Sequence, residues 1–181
     1  MNTIAKYIKK IIRPLMPKKS EVDFYRKKNV KIGSNCHMYS VYIDCVCPHL
    51  IEIGDNVTIT HATLLTHDAS TKKPLGYTKA GRISIGNDVF VGWGSIILGN
   101  VKVGNNVIIG AHTVVTKDIP DNSVVIGNPC RVVCKYDYYI EKMKKLSNNS
   151  YLSNVNPSDW SSNDIHGQIE SLKDGGWGFI L

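Results

Sequence analysis

ISIGNDVFVGWGSIILGNVKVGNNVIIGAHTVVTKDIPDNSVVIGNPCR, residues 83–131, decides the fold. An aliphatic residue returns every six positions, at Ile85, Val91, Ile97, Val103, Ile109 and Val115, and Gly86, Gly92, Gly104 and Gly110 follow four of them. A helix repeats near 3.6 residues and a strand at 2. A beat of six fits neither. It fits short strands that turn a corner every six residues, with three strands to a turn. The spacing predicts an all-β solenoid whose recurring aliphatic side chains point inward and stack on their copies eighteen residues away. The glycine after each is expected at a corner of positive φ, and Asn56, Asn87 and Asn105 are expected at turns.

Working outward, the beat begins weakly at Val30–Gly33 and is clear in three hexads, 51–56, 57–62 and 63–68. It stops over 69–82, ASTKKPLGYTKAGR, and resumes at Ile83. Blocks 51–68, 83–100 and 101–118 therefore read as successive turns, with 69–82 inserted at a corner. Insertions of this kind project outward and often carry function. The pattern fades in the turns at 119–122 and 127–129. The chain thus divides into a basic amphipathic segment at 1–29, a coil at 30–135, and a tail at 136–181. In that tail 137–146 reads as helix, and the Ser/Asn-rich stretch from 147 reads as loosely ordered.

Charge is unevenly placed. Residues 1–31 hold ten Lys/Arg and two acids, whereas 32–181 hold twelve and thirteen. A basic arm on a near-neutral body, without aromatic residues interleaved, does not point to nucleic acid. Ile4, Ile8, Ile11 and Ile12 alternate with lysines over 2–13, a helix pattern stopped by Pro14. It suits either a cap on the end of the solenoid or an anionic membrane surface met by residues 1–19. No run is long enough to cross a bilayer. Five cysteines, an odd number, point to reduced thiols and a cytoplasmic setting, at the inner face of the membrane if residues 1–19 lie on lipid. Cys45-x-Cys47 beside His49 is too closely spaced for the usual zinc motifs, so the thiols are read as coil filling and no metal is expected.

These residues resemble the hexapeptide-repeat acyltransferases over about 30–135, and the run from Ile83 most resembles the maltose, galactoside and polysaccharide O-acetyltransferases. The family's usual ending, VVTKD-x-P followed by GNPA, appears here as Val114–Pro120 and then Gly127-Asn128-Pro129-Cys130, with Cys130 replacing the alanine. The resemblance implies a left-handed parallel β-helix, a homotrimer with active sites between neighbouring prisms, and acetyl-CoA as cosubstrate. It implies O-acetylation of a hydroxyl on a sugar or polysaccharide precursor. His67, in Leu65-Thr66-His67-Asp68 just before the insertion, takes the place of the family's general base. A hydroxyl is a poor nucleophile until its proton is removed, and histidine suits that task near neutral pH. The oxyanion donor is expected among the backbone N–H groups of Trp93–Ser95. By the same resemblance Trp93, Ala111, Thr116, Lys117 and Arg131 line the coenzyme track, Asp44 meets the sugar, and Tyr77 on the insertion reaches the acceptor.

Other readings stay open at this level. His67 suits a surface corner as well as a site. A streptogramin-type antibiotic acetyltransferase or an amino-sugar acetyltransferase shares the repeat. A metal-dependent carbonic anhydrase on the same prism needs three converging histidines. His61 lies six before His67 and so points from a different corner. A non-catalytic trimeric scaffold needs no site at all.

Overall fold

The computed structural model describes residues 20–181. The helix expected over 2–13, and with it the choice between cap and membrane contact, lies outside the described residues. The chain divides after Val133 into two compact units, the second being Cys134–Leu181.

The first unit opens with a short helix α1 (Glu21–Arg26), capped by the Ser20 side chain. It buries Val22 and ties itself to the strands that follow. The Tyr25 hydroxyl donates to Val41 O at 2.6 Å, and the Glu21 carboxylate accepts from Ser40 N and Val41 N.

Four turns follow. The first contains β1 (Lys31–Ile32), β2 (His37–Tyr39) and β3 (Tyr42–Ile43), and the second β4 (Ile51–Ile53), β5 (Thr58–Thr60) and β6 (Thr63–Leu65). The chain then leaves the coil through β7 (His67–Asp68), a 3-10 turn at Ala69–Thr71, α2 (Lys72–Leu75) and β8 (Lys79–Ala80). It re-enters as β9 (Ile83–Ile85), β10 (Val89–Val91) and β11 (Ile96–Leu98), then β12 (Val101–Val103), β13 (Val107–Ile109) and β14 (Val114–Val115). β15 (Ser123–Ile126) and β16 (Arg131–Lys135) complete the series.

Each turn lends one strand to each of three sheets, ordered β1-β4-β9-β12, β16-β15-β13-β10-β5-β2 and β14-β11-β6-β3, and the strands of successive turns pair parallel. Parallel pairing between strands of successive turns is consistent with the six-residue beat. Ile51, Ile83, Ile59, Val91, Leu64, Ile97 and Val115 are fully buried, each contributing roughly 1.5–3 kcal/mol.

The corners differ from expectation. Positive φ falls on Asn35, Asn56, Asp88, Asn106 and Asn122, not on Gly86, Gly92, Gly104 or Gly110. The glycines serve close approach instead: a Cβ on Gly104 would lie 2.2 Å from Asp121 Oδ1. Beside them runs a ladder of side chains. Asp55 N donates to Asn87 Oδ1, Asn87 N to Asn105 Oδ1, and Asn105 N to Asp121 Oδ1, each at 2.8 Å. Each rung satisfies a backbone donor that the corner takes out of the sheets.

The repeat is also less regular than the hexads suggest. Thr58 pairs with Phe90 thirty-two residues on, but Thr63 pairs with Ile96 thirty-three on. The corner between these faces is therefore one residue shorter in the second turn, at His61–Ala62, than in the third. The first turn is also twenty-one residues long rather than eighteen, as in Tyr42↔Thr63, and the excess lies between β3 and β4: Ile43 to Ile53 spans ten residues where Ile97 to Val103 spans six.

The second unit begins with α3 (Tyr136–Ser147). Beyond it the composition suggests a loose tail, but the structure has β17 (Tyr151–Ser153), α4 (Ser162–Leu172) and β18 (Gly178–Ile180), with the two strands parallel. The signal was present: Ser161 and Asp164 form a reciprocal capping box that starts α4.

Candidate active site

His67 sits where the coil is broken. Register carries the third face from Leu64↔Ile97 and Leu65↔Leu98 to this corner, where the chain departs. β7 and β8 pair antiparallel, His67 with Ala80 and Asp68 with Lys79, so the excursion begins and ends beside the histidine. Gly81 N donates to Thr66 O at 2.7 Å and closes its neck. Asp68 and Lys79 add an exposed ion pair at 2.6 Å, and the hydrogen bond from Lys79 holds the Asp68 carboxyl far below the usual carboxylate range. A cleft of about 690 Å³ opens here, lined by Thr66, His67, Asp68, Lys79 and Asn100 with Leu65, Leu98 and Gly99.

Behind the histidine lies Asp44, only 2% exposed. Its Oδ2 accepts from the His67 ring Nδ1, from His67 N at 3.0 Å and from the Thr66 hydroxyl at 2.9 Å, while Oδ1 accepts from Val46 N at 3.0 Å. Burial alone would raise the Asp44 pKa. The bonds from His67, Val46 N–H and Thr66 together outweigh it and hold the carboxyl below its ordinary value. A carboxylate on Nδ1 leaves that nitrogen protonated and Nε2 as the acceptor. Nε2 has no hydrogen-bond partner among the described residues.

The reach of Asp44 across turns explains why the sequence does not show this pair. Asp44 N donates to Leu64 O, which sets Asp44 beside the strand that ends in Thr66 and His67. Both carboxylate oxygens of Asp44 are occupied within the chain, and it is buried beneath the histidine rather than facing the cleft.

Other expected residues lie elsewhere. Trp93 is 53% exposed at the corner between β10 and β11. Its ring stacks on His61 at 4.6 Å and meets His112 edge-on at 5.1 Å. The register Val91↔Ile109 carries on to set Trp93 beside Ala111, one turn apart. Gly94 N and Ser95 N donate to His61 O and Gly92 O, so of the three N–H groups named for the oxyanion only that of Trp93 stays unengaged among the described residues. Cys130 N donates to Val114 O, tying the segment before Arg131 to the strand before Thr116 and Lys117. Lys117 and Arg131 are exposed and face no acid among the described residues. Tyr77 is 78% exposed and does not line the cleft, and its carbonyl accepts from the Thr71 hydroxyl.

The thiols depart from their reading as coil filling. Cys130 is buried, but Cys45 is exposed and Cys36, Cys47 and Cys134 are intermediate. Among the described residues no three His, Cys, Asp or Glu side chains are grouped to hold a metal ion. His61 and His67 have separate partners within the chain, Trp93 and Asp44. No helix among the described residues is long and apolar enough to cross a membrane.

Comparison with known proteins adds to this geometry. Residues 82–117 match the family described as bacterial transferase hexapeptide (six repeats). Protein CapG of Staphylococcus aureus is 42% identical over 156 residues, covering 82% of this chain and 90% of CapG. A putative acetyltransferase of Staphylococcus aureus is 40% identical over 123 residues, covering 60% of this chain and 56% of that protein. Among solved structures, a hexapeptide-repeat-containing acetyltransferase of Vibrio cholerae superposes with a TM-score of 0.54 at 26% identity, covering 60% of this chain and 63% of that one. The same Vibrio protein complexed with acetyl coenzyme A gives 0.53 at 26% identity, over 60% and 61%.

Proposed function

The chain belongs to the family of bacterial hexapeptide transferases and is an acyltransferase, and from that premise we propose that it transfers the acetyl group of acetyl-CoA to a hydroxyl of a sugar or polysaccharide precursor, with His67 as general base. The observation that carries this reading is the His67–Asp44 pair at the mouth of the one break in the coil. Nδ1–H points to a buried carboxylate, so Nε2 is the free acceptor at the cleft. As the acceptor oxygen bonds to the thioester carbon, its proton passes to Nε2, and Asp44 stabilises the imidazolium that forms. The carbon–sulfur bond then breaks and the coenzyme thiolate recovers the proton, leaving an acetyl ester and free thiol. His67 needs no covalent intermediate for this.

Asp44 acts through His67 in this mechanism, as a positioning residue rather than a sugar contact. Thr66 and the Val46 N–H fix the carboxylate in turn. Lys117 and Arg131 suit the anionic phosphates of the coenzyme, since a free guanidinium forks onto phosphate oxygens.

The site is shared between copies of the chain, in a homotrimer of left-handed prisms. Two observations support this. His67 lies at the corner after β6, whereas Trp93 and Ala111 lie at the corner before β11 and β14, so one coil does not bring base and coenzyme track together. Outward side chains also differ by face. The sheet of β1, β4, β9 and β12 presents Lys31, Glu52, Ser84 and Lys102, while that of β3, β6, β11 and β14 presents Tyr42, Thr63, Leu65, Ile96, Leu98 and Val114. An apolar outer face suits association. A neighbour packed there sets its own corner against the cleft and supplies the Trp93 N–H toward the developing oxyanion.

The test is thiol release from acetyl-CoA across a panel of sugars and sugar derivatives. The expected result is turnover that His67→Ala reduces by about three orders of magnitude without altering sedimentation. Near wild-type turnover by a folded His67→Ala protein would refute the assignment.

A further inference from the structure

Three rings meet at the corner that leads into β6, β11 and β14. His61, Trp93 and His112 stand there in the second, third and fourth turns. The His61 imidazole lies flat on the indole, with centroids 4.6 Å and planes 8° apart, and the His112 imidazole meets the indole edge-on at 5.1 Å and 64°. Backbone bonds tie the three turns together: Gly94 N donates to His61 O at 3.1 Å, and His112 N to Trp93 O at 2.8 Å. The rings lie outside the buried core, for His61 and His112 are exposed and Trp93 is half exposed.

Backbone geometry at the corner builds this cluster. His61 and His112 both hold positive φ, 46° and 55°, a region uncommon for residues other than glycine. Gly94, at φ 71°, leaves room for the second ring, because a Cβ there would lie 2.6 Å from the His112 imidazole. The corner at His61 is one residue shorter than that at Trp93–Gly94, and its imidazole sits directly against the indole. An exposed side chain without such neighbours exchanges rotamers within nanoseconds, and ordering it when a ligand arrives costs affinity. With one face covered by His61 and an edge met by His112, Trp93 is ordered in advance.

We propose that His61 and His112 are positioning residues for coenzyme A: their rings hold the Trp93 indole in the orientation against which the coenzyme packs. The inference rests on the reading of Trp93 and Ala111 as part of the coenzyme track. Neither imidazole touches the coenzyme or needs a charge in this role. The requirement is a flat ring against one face of the indole and a second ring at its edge. Stacked and edge-on aromatic pairs each add enough beyond burial to shift an affinity about two- to tenfold. The effect on coenzyme binding therefore follows ring shape rather than imidazole chemistry.

Calorimetric titration of coenzyme A into the full chain compares wild type with His61→Ala, His61→Phe and His112→Ala. The expected result is binding weakened about fivefold by each alanine and restored by His61→Phe to within about twofold of wild type. In thiol release the same loss appears in the KM for acetyl-CoA, while kcat at saturating acetyl-CoA falls by less than about twofold. Rings that served the fold alone would lower the urea midpoint and leave the coenzyme affinity of the folded chain unchanged, and that result overturns the proposal. Equal weakening by His61→Ala and His61→Phe also overturns it, since the imidazole would then meet the coenzyme itself. A second measurement needs no coenzyme. The chain has three tryptophans, Trp93, Trp160 and Trp177, so in Trp160→Phe/Trp177→Phe protein the fluorescence anisotropy decay reports Trp93 alone. An indole that gains nanosecond motion in His61→Ala and loses it again in His61→Phe supports the clamp. Motion that is equal in all three proteins overturns it. Wild-type protein that binds no coenzyme A refutes the acetyl-transfer reading and this inference together, whereas coenzyme binding that His61→Ala leaves unchanged refutes the inference alone.

Discussion

Replacing Asp44 with asparagine isolates the pair on which the mechanism depends. The change keeps shape and removes charge. An asparagine that leaves its carbonyl oxygen at the Oδ2 position still accepts from Thr66, His67 N and the His67 ring, but its amide nitrogen then faces the Val46 N–H, donor to donor. Losing the charge-assisted bond to the ring forfeits about 1.5–3 kcal/mol of support for the imidazolium, which is roughly a 10- to 150-fold fall in kcat. KM should change little, since Asp44 is buried and does not line the cleft. The opposed donors cost a further 1–3 kcal/mol of stability, approximately, at neutral pH. That difference has a defined pH dependence. The Asp44 pKa is lower in the folded chain than its ordinary 3.8, so the unfolded state binds more protons in the window below 3.8. The wild-type advantage is fully present above that value and disappears as pH falls through the folded pKa. Thiol-release rates and urea unfolding of wild type, Asp44→Asn, His67→Ala and the double variant measure both effects. In the His67→Ala background, Asp44→Asn should change the residual rate by less than about twofold. A loss there as large as in wild type would show that Asp44 does not act through His67.

Mixing inactive variants tests the shared site. A random one-to-one mixture of His67→Ala chains with chains blocked by Trp93→Arg should recover about one quarter of wild-type rate if each site draws His67 and Trp93 from different copies; a mixture as inactive as its parents would place both roles in one chain. Ile97, fully buried between Leu64 and Val115, should cost about 2–5 kcal/mol on truncation to alanine, read from the urea midpoint. Gly104→Ala should destabilise by about 1–3 kcal/mol because the new Cβ meets Asp121. Gly167→Ala, in α4 with nothing within 4 Å, should stabilise the second unit by about 0.5–1 kcal/mol.

What could be read from the sequence depended on how far apart the interacting residues lie. Inward stacking needs only a fixed period, so Ile85 to Val115 announced the coil, and the missing beat at 69–82 marked the break beside His67. Register across an irregular connection has no period. Asp44 lies beside His67 because β3 pairs with β6, and the four extra residues that follow it before β4 look like any exposed turn. The short corner at His61-Ala62 is invisible for the same reason: Ile59 to Leu64 spans five residues, whereas Val91 to Ile97 keeps six. Composition failed differently in the tail, where frequent serine and asparagine hid the local capping chemistry of Ser161 and Asp164. These failures bear on the mechanism. Both irregularities fall at corners, one just after Asp44, the carboxylate behind His67, and the other at His61, whose ring stacks on Trp93. A perfectly periodic coil would have neither device. It would still bury its aliphatic column, because burial depends only on the inward positions. Stability and chemistry are therefore carried by separable parts of this chain. Substitutions at inward positions should move the unfolding midpoint, whereas substitutions at the two irregular corners should act first on turnover.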